Sequence, residues 1–97
     1  MKKIAIINGH PNKDSFNFGV AAAYKEGAAE SGAEIKEIVI ANLNFNPNLQ
    51  FGYQKRMELE PDLLNAWDII RWADHLVWVH PVWWGGFPAL MKGFIDR

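Results

Sequence analysis

The sequence predicts an α/β protein: a parallel sheet with helices packed on both faces. Three observations carry this. Short apolar runs recur at residues 4–7, 35–40 and 76–79. Segments of helical spacing, opened by capping residues, separate them. The resulting order is βαβαβα, with no repeat, low-complexity tract or linker, and such alternation implies right-handed crossovers between parallel strands.

Ile4-Ala5-Ile6-Ile7 is continuous and apolar, ends at Asn8-Gly9-His10-Pro11, and reads as a strand buried on both faces. Ser15 is a plausible N-cap. Phe16, Val20, Ala23 and Gly27 then follow helical spacing, and Gly32 supplies the stop signal. The second strand, 35–40, starts among Glu34, Lys36 and Glu37, which suits an edge position. Residues 41–60 form a long connection in which asparagines, Pro47 and Gly52 break any period; a connection of that length is commonly functional. Pro61 fits the first turn of a second helix, with Glu60 and Asp62 favourable at its positive end. Leu63, Leu64, Trp67 and Ile70 give that helix its apolar face, and Asp74 closes it. Leu76-Val77-Trp78-Val79 reads as a third strand, apolar on both faces, and Pro88 opens a third helix through Ile95.

With 97 residues the chain is at most one domain. The formal net charge of −1 does not point to nucleic acid or an anionic membrane. The absence of cysteine excludes disulfides, thiolate metal sites and cysteine nucleophiles, and fits a reducing cytoplasm. The apolar run of MKKIAIIN is too short for a secretory signal, and no segment has the ~20 apolar residues of a membrane span. His75 and His80 lack second ligands at metal-binding spacing, so no metal site is expected.

Ligands of such sheets bind beyond the carboxyl ends of the strands. The loops there are NGHPNKDSFN and HPVWWGGFP. Walker and dinucleotide-binding glycine patterns are absent, and the strand ends lack the aspartates of a phospho-acceptor domain. The first loop leads into a helix N-terminus, where backbone N–H groups and the helix dipole favour an anion, with His10, Ser15 and Asn17 as further donors. In the second, Trp83 and Trp84 offer planar walls, and Gly85 and Gly86 allow close backbone approach. Phosphate at one loop and a flat ring at the other describe a flavin nucleotide.

The stretches IINGHPNKDSFNFGVAAA, FNP at 45–47 and WADHLVWVHPVWWGGFPALMKGFIDR resemble the N-terminal half of the flavodoxin-like NAD(P)H:quinone oxidoreductase family. The last fits P-x-x-W-x-x-x-P-A-x-[LM]-K-G-[FW]-x-[DE]-R, the most specific of the three. The resemblance spans nearly the whole chain. It implies a flavodoxin-like three-layer α/β/α sandwich with the βαβαβα half present and strand order 2-1-3. It implies FMN or FAD as cofactor, NAD(P)H as co-substrate and a quinone-type acceptor. It places His10, Ser15, Phe16 and Asn17 at the phosphate, and Pro81, Val82, Trp83, Trp84 and Gly85 along the isoalloxazine ring. Family members commonly place an aromatic residue near Gly85, and the resemblance implies a thinner flavin wall at that point of this chain. Asp96 and Arg97 match an acidic–arginine pair with a structural role.

Each feature also has a plainer reading. Ser15 serves equally as an N-cap, and capping and ligand contact are compatible. Phe16 is a packing residue that also reaches the ligand. Trp83 and Trp84 also suit an interface. His80 reads as structural; Trp67, Trp72 and Trp78 read as core or edge residues. Residues 1–97 are read as one flavodoxin-like domain ending within its third helix, with the family's substrate-side polar groups beyond position 97 and the third strand left as an edge. Such a chain is expected to form a homo-oligomer. The alternatives to an enzyme are a flavodoxin-like regulatory subunit without turnover and an inactive fragment.

Overall fold

The computed structural model describes residues 2–12, 14–52 and 54–97; Met1, Lys13 and Tyr53 lie outside the described residues, Lys13 within the first of the two loops. Strands β1 (Lys3–Asn8), β2 (Glu34–Val39) and β3 (His75–Val79) are parallel and ordered β2-β1-β3. They alternate with helices α1 (Phe16–Glu30), α2 (Pro61–Trp72) and α3 (Ala89–Asp96), and a short 3₁₀ turn (Ile40–Asn42) follows β2. The predicted class, order and topology are those observed.

β1 is central, and its apolar run is buried throughout. Because side chains alternate across a strand, Ile4 and Ile6 point to one face and Ile7 to the other. Ile4 and Ile6 pack with Ala21 of α1, while Ile7 joins Ile38, Ile40, Leu63, Ala66, Met91 and Phe94 beneath α2 and α3. Burying each large apolar side chain stabilises by about 1.5–3 kcal/mol, so this second cluster is the larger source of cohesion.

Helix ends behave as their residues dictate. Ser15 Oγ accepts the Asn17 N–H at 3.0 Å and caps α1. At the other end Gly32 takes φ +88°, with Ala33 N–H donating to Ala28 O and Gly32 N–H to Ala29 O, a Schellman arrangement. Pro61 occupies the first turn of α2 behind the N-cap Glu60.

Three expectations are corrected. The spacing Phe16, Val20, Ala23, Gly27 marks the outward side of α1: Phe16 is 83% exposed, and the buried residue is Ala21. Ile4 and Ile6 already fill the sheet face there, so the helix approaches on small residues. On α2, Leu63 and Ala66 are buried, but Leu64 and Trp67 are exposed. β2 runs from Glu34 to Val39, and Ile40 turns away into the 3₁₀ segment, where it is fully buried. β3 lies at a sheet edge, as expected, pairing among the described residues with β1 alone, and Trp78 is exposed on its α2–α3 face.

The long connection is pinned rather than loose. Asn44 N–H donates to Asp62 Oδ2 and Asn46 N–H to Glu60 Oε2, each at 2.6 Å. Arg97 follows α3 as its C-cap, its N–H donating to Gly93 O. Its guanidinium folds back to donate to Glu60 Oε1 at 2.6 Å, to Glu58 O at 2.9 Å and to Asn46 O. Asp96 pairs with Lys92 instead, so the Asp96–Arg97 pair is structural through separate partners.

Candidate functional site

Two loops leave the carboxyl ends of β1 and β3, and they are joined at their bases. Gly9 N–H donates to Val79 O at 2.8 Å. Gly9 also has no room for a side chain: a Cβ there would stand 2.9 Å from Met91 Cγ and closer still to its sulfur. Glycine thus lets α3 press against the first loop from below.

That loop organises itself through polar side chains that each accept an N–H two residues on. Asn8, almost fully buried, accepts from His10 N–H at 3.1 Å; His10 Nδ1 accepts from Asn12 N–H at 2.9 Å; Asn12 Oδ1 accepts from Asp14 N–H at 3.0 Å. The chain of turns delivers the backbone to Ser15 and α1. It also fixes chemistry. With Nδ1 accepting, a neutral His10 carries its proton on Nε2 and presents it as a donor. Ser15 Oγ accepts from Asn17 N–H, which leaves the hydroxyl proton for another acceptor. Capping and ligand contact are therefore compatible in geometry.

Asn17 adds a further signal. Its Oδ1 is buried and finds no partner among the described residues. An unmatched buried acceptor costs about 1–3 kcal/mol, so such atoms commonly mark a missing ligand.

The second loop closes as a tight hairpin. Trp83 and Gly86 exchange N–H to O bonds of 3.0 and 3.1 Å across the two-residue tip Trp84-Gly85. Both tip residues have positive φ, +53° and +74°, the signature of a type I′ turn. The strained position is held by a tryptophan, which exposes its whole side chain. The loop's base is braced by His80, whose Nδ1 lies 2.8 Å from Pro81 O and whose ring meets Phe87 edge-on at 4.9 Å. A carbonyl only accepts, so Nδ1 is the donor there, and the structural reading of His80 fits this geometry.

The two loops meet through His10 and Trp83, whose rings are 5.3 Å apart at 80°. His10, Ser15 and Asn17 therefore stand at the α1 entrance with Trp83 beside them. Phe16, Val82 and Trp84 project into solvent, Gly85 is exposed at the hairpin tip, and Pro81 is half-buried. The arrangement is an open platform with polar donors at one end and aromatic surface at the other. Reading the sequence did not single out Asn8, Gly9 and Asn12 as organisers. The Asn-Gly step ending β1 and the N-K-D spacing were the available signals. Among the described residues, no group of three His, Cys, Asp or Glu is placed to hold a metal.

Known proteins with this pattern can now be set beside that geometry. A family model described as Flavodoxin-like fold matches residues 2–97. An uncharacterized NAD(P)H oxidoreductase of Haemophilus influenzae is 33% identical over 96 residues, covering 95% of this chain and 48% of that protein. NAD(P)H dehydrogenase [quinone] 1 of Rattus norvegicus is 26% identical over 117 residues, covering 100% of this chain and 43% of its own. The solved NAD(P)H:quinone oxidoreductase from Methanothermobacter marburgensis superposes with a TM-score of 0.84 at 28% identity, over 99% of this chain and 52% of its own. The chain spans about half the length of the curated relatives it matches.

Proposed function

The chain belongs to the family described as Flavodoxin-like fold, and on that premise we propose that it is the flavin-binding half of an NAD(P)H-dependent oxidoreductase acting on a quinone-type acceptor. The relatives' names support the reaction class. The observation that carries the site is the meeting of the two loops: the Gly9–Val79 bond and the His10–Trp83 contact bring the α1 entrance beside an aromatic hairpin. We further propose that residues 1–97 act as one flavodoxin-like domain unit and that the protein works in the cytoplasm as a homo-oligomer.

The residues present fit FMN or FAD. Asn17 Oδ1 is a buried acceptor without a donor; a ribityl hydroxyl would supply one, and the same amide's Nδ2 would donate to phosphate. The Ser15 hydroxyl and His10 Nε2–H would hold phosphate oxygens, assisted by the positive end of α1. Phe16 would flank the phosphate end. Pro81, Val82, Trp83, Trp84 and Gly85 would line the ring, with Trp84 giving the largest flat surface and excluding water from the covered side. When bound, flavin would supply the hydride-transfer chemistry between nicotinamide and acceptor. The protein's part is placement: polar groups at one end set the position of the phosphate, and the hairpin sets the ring plane.

Titration with FMN and with riboflavin, followed by visible flavin absorbance, tests the reading. Preferential binding of FMN, with NAD(P)H oxidation on adding a quinone, is the expected outcome. Binding without oxidation would instead favour a regulatory subunit, and no binding of either ligand would overturn the assignment.

A further inference from the structure

Asn8 closes β1, registered against Val39 of β2 on one side and Val79 of β3 on the other. Alternation along the strand puts it on the same sheet face as Ile4 and Ile6, the face that α1 covers. It borders a recess there together with Phe18 and Ala21 of α1. Only 3% of Asn8 is exposed. An apolar residue is the ordinary occupant of such a place, because a buried amide is costly unless it is hydrogen-bonded. The Asn8 carboxamide oxygen accepts the His10 N–H at 3.1 Å.

That bond begins a series that ends on a side chain of the proposed site. Gly9 N–H, one residue earlier, extends the sheet ladder to Val79 O at 2.8 Å. The backbone entering His10 is thus held at two consecutive N–H groups. The His10 ring is then fixed by two contacts of its own. Its Nδ1 accepts the Asn12 N–H at 2.9 Å, and its plane stands at 80° to Trp83 with ring centroids 5.3 Å apart. The other ring nitrogen, Nε2, carries the proton of the neutral form.

We propose that Asn8 is a positioning residue for the anion end of the site, acting through His10. Its buried oxygen sets the His10 backbone, the Asn12 N–H then sets the ring, and Nε2–H stands ready as a neutral donor before a ligand arrives. Less freedom is lost on binding when a donor is already in place. No contact between Asn8 and the ligand is required. The ligand side of this proposal rests on the flavin reading; the effect of Asn8 on the His10 ring does not.

Two measurements test it. The first is NMR of the flavin-free chain at mildly alkaline pH, above the ordinary imidazole range. It should show a scalar coupling across the hydrogen bond from the Asn12 amide to His10 Nδ1, and slow exchange of the His10 amide. Asn8→Val brings a side chain of moderate size that suits a strand. It should keep the fold, as circular dichroism will show, yet abolish that coupling and speed His10 amide exchange at least about tenfold. Asn8→Ser keeps a shorter acceptor for the N–H two residues on and should restore both in part. The second measurement is titration with flavins. Asn8→Val should lower FMN affinity about threefold to tenfold, the scale of one hydrogen bond, and leave riboflavin affinity unchanged, with Asn8→Ser between.

The proposal is overturned if the coupling is missing from the parent or persists in Asn8→Val. It is equally overturned if FMN and riboflavin lose affinity together or not at all. A parent chain that binds neither flavin refutes the flavin reading, and the NMR result still decides whether Asn8 sets the His10 ring. If Asn8→Val fails to fold, Asn8→Ala, which removes the oxygen without adding bulk, takes its place with the same expectations.

Discussion

Gly93 of α3 lies directly against Pro47 of the long connection. A Cβ on Gly93 would stand 2.9 Å from the Pro47 Cα and carbonyl oxygen and closer still to its Cβ. The obstructing atoms are backbone and a rigid ring, so they cannot swing aside. Phe45 and Phe94 meet edge-on at 6.3 Å beside this contact, which fastens the connection to the helix. Gly93→Ala should therefore destabilise the chain. Overpacking costs about 1–3 kcal/mol, more than the ~1 kcal/mol that alanine returns in helix propensity. Gly27→Ala is the matched control: Gly27 is helical and exposed, with nothing within 4 Å of a new Cβ. It should stabilise by up to ~1 kcal/mol. Urea midpoints of the two variants should move in opposite directions; movement in the same direction would refute the close-packing argument.

Arg97 and Glu60 give the fold an acid-sensitive joint. The Arg97 hydrogen bond, reinforced by the Asn46 N–H, lowers the Glu60 pKa below its ordinary value of 4.5. The folded state thus prefers the ionised carboxylate. The resulting stability is complete above the unfolded value and is lost as pH falls through the folded one. Glu60→Gln should cost about 1.5–3 kcal/mol near neutrality, because the Arg97 side chain, 1% exposed, loses its counter-charge. Below about pH 4.5 the gap between the variant and the parent should narrow. A gap that stays constant across that range would show that Glu60 contributes packing rather than charge.

Ser15→Asp separates capping from anion contact. Aspartate caps helices as well as serine does, so stability should hold within about 0.5 kcal/mol. Its carboxylate would oppose a phosphate while leaving the hairpin untouched. FMN affinity should fall at least tenfold on the scale of one like-charge contact, and riboflavin affinity should barely change. Parallel titrations of both ligands provide the check, and equal losses would move the phosphate away from Ser15.

Much of the fold was legible because its signals are local. A strand buried on both faces must be apolar at consecutive positions, as residues 4–7 are. Serine before a helix, glycine after one and proline at a first turn each answer a backbone requirement within a few residues. The misread parts depend on distant partners. Phe16 and Val20 have helical spacing, but only the bulk of Ile4 and Ile6 on the opposing sheet decides that Ala21 goes inward. Leu64 and Trp67 are apolar in sequence, yet among the described residues nothing covers them. The Glu60–Arg97 pair is separated by 37 positions, so no local pattern announces it. In the candidate site, the residue types were readable, but the Asn8–His10–Asn12 relay that orders them needed coordinates.

Trp84 sets stability against binding at one position. Its φ of +53° is a conformation that glycine and asparagine tolerate and bulky residues resist, at a cost of roughly 1–2 kcal/mol. No packing offsets that cost, since the side chain is fully exposed. Trp84→Asn would create Asn-Gly, the pairing most favoured at a type I′ tip. It should raise stability by ~1 kcal/mol, measured by urea denaturation. The same change removes the largest flat surface at the proposed ring site. Stacking contributes on the order of 0.5–1.5 kcal/mol beyond area burial, so flavin affinity should drop about threefold to tenfold. The two readouts are independent. A stabilised variant with undiminished flavin affinity would mean that the exposed ring serves something other than flavin. A destabilised variant would mean that the hairpin tip is held by contacts to the tryptophan that its exposure argues against. Gain in stability with loss of affinity is the result expected of backbone strain kept for a ligand.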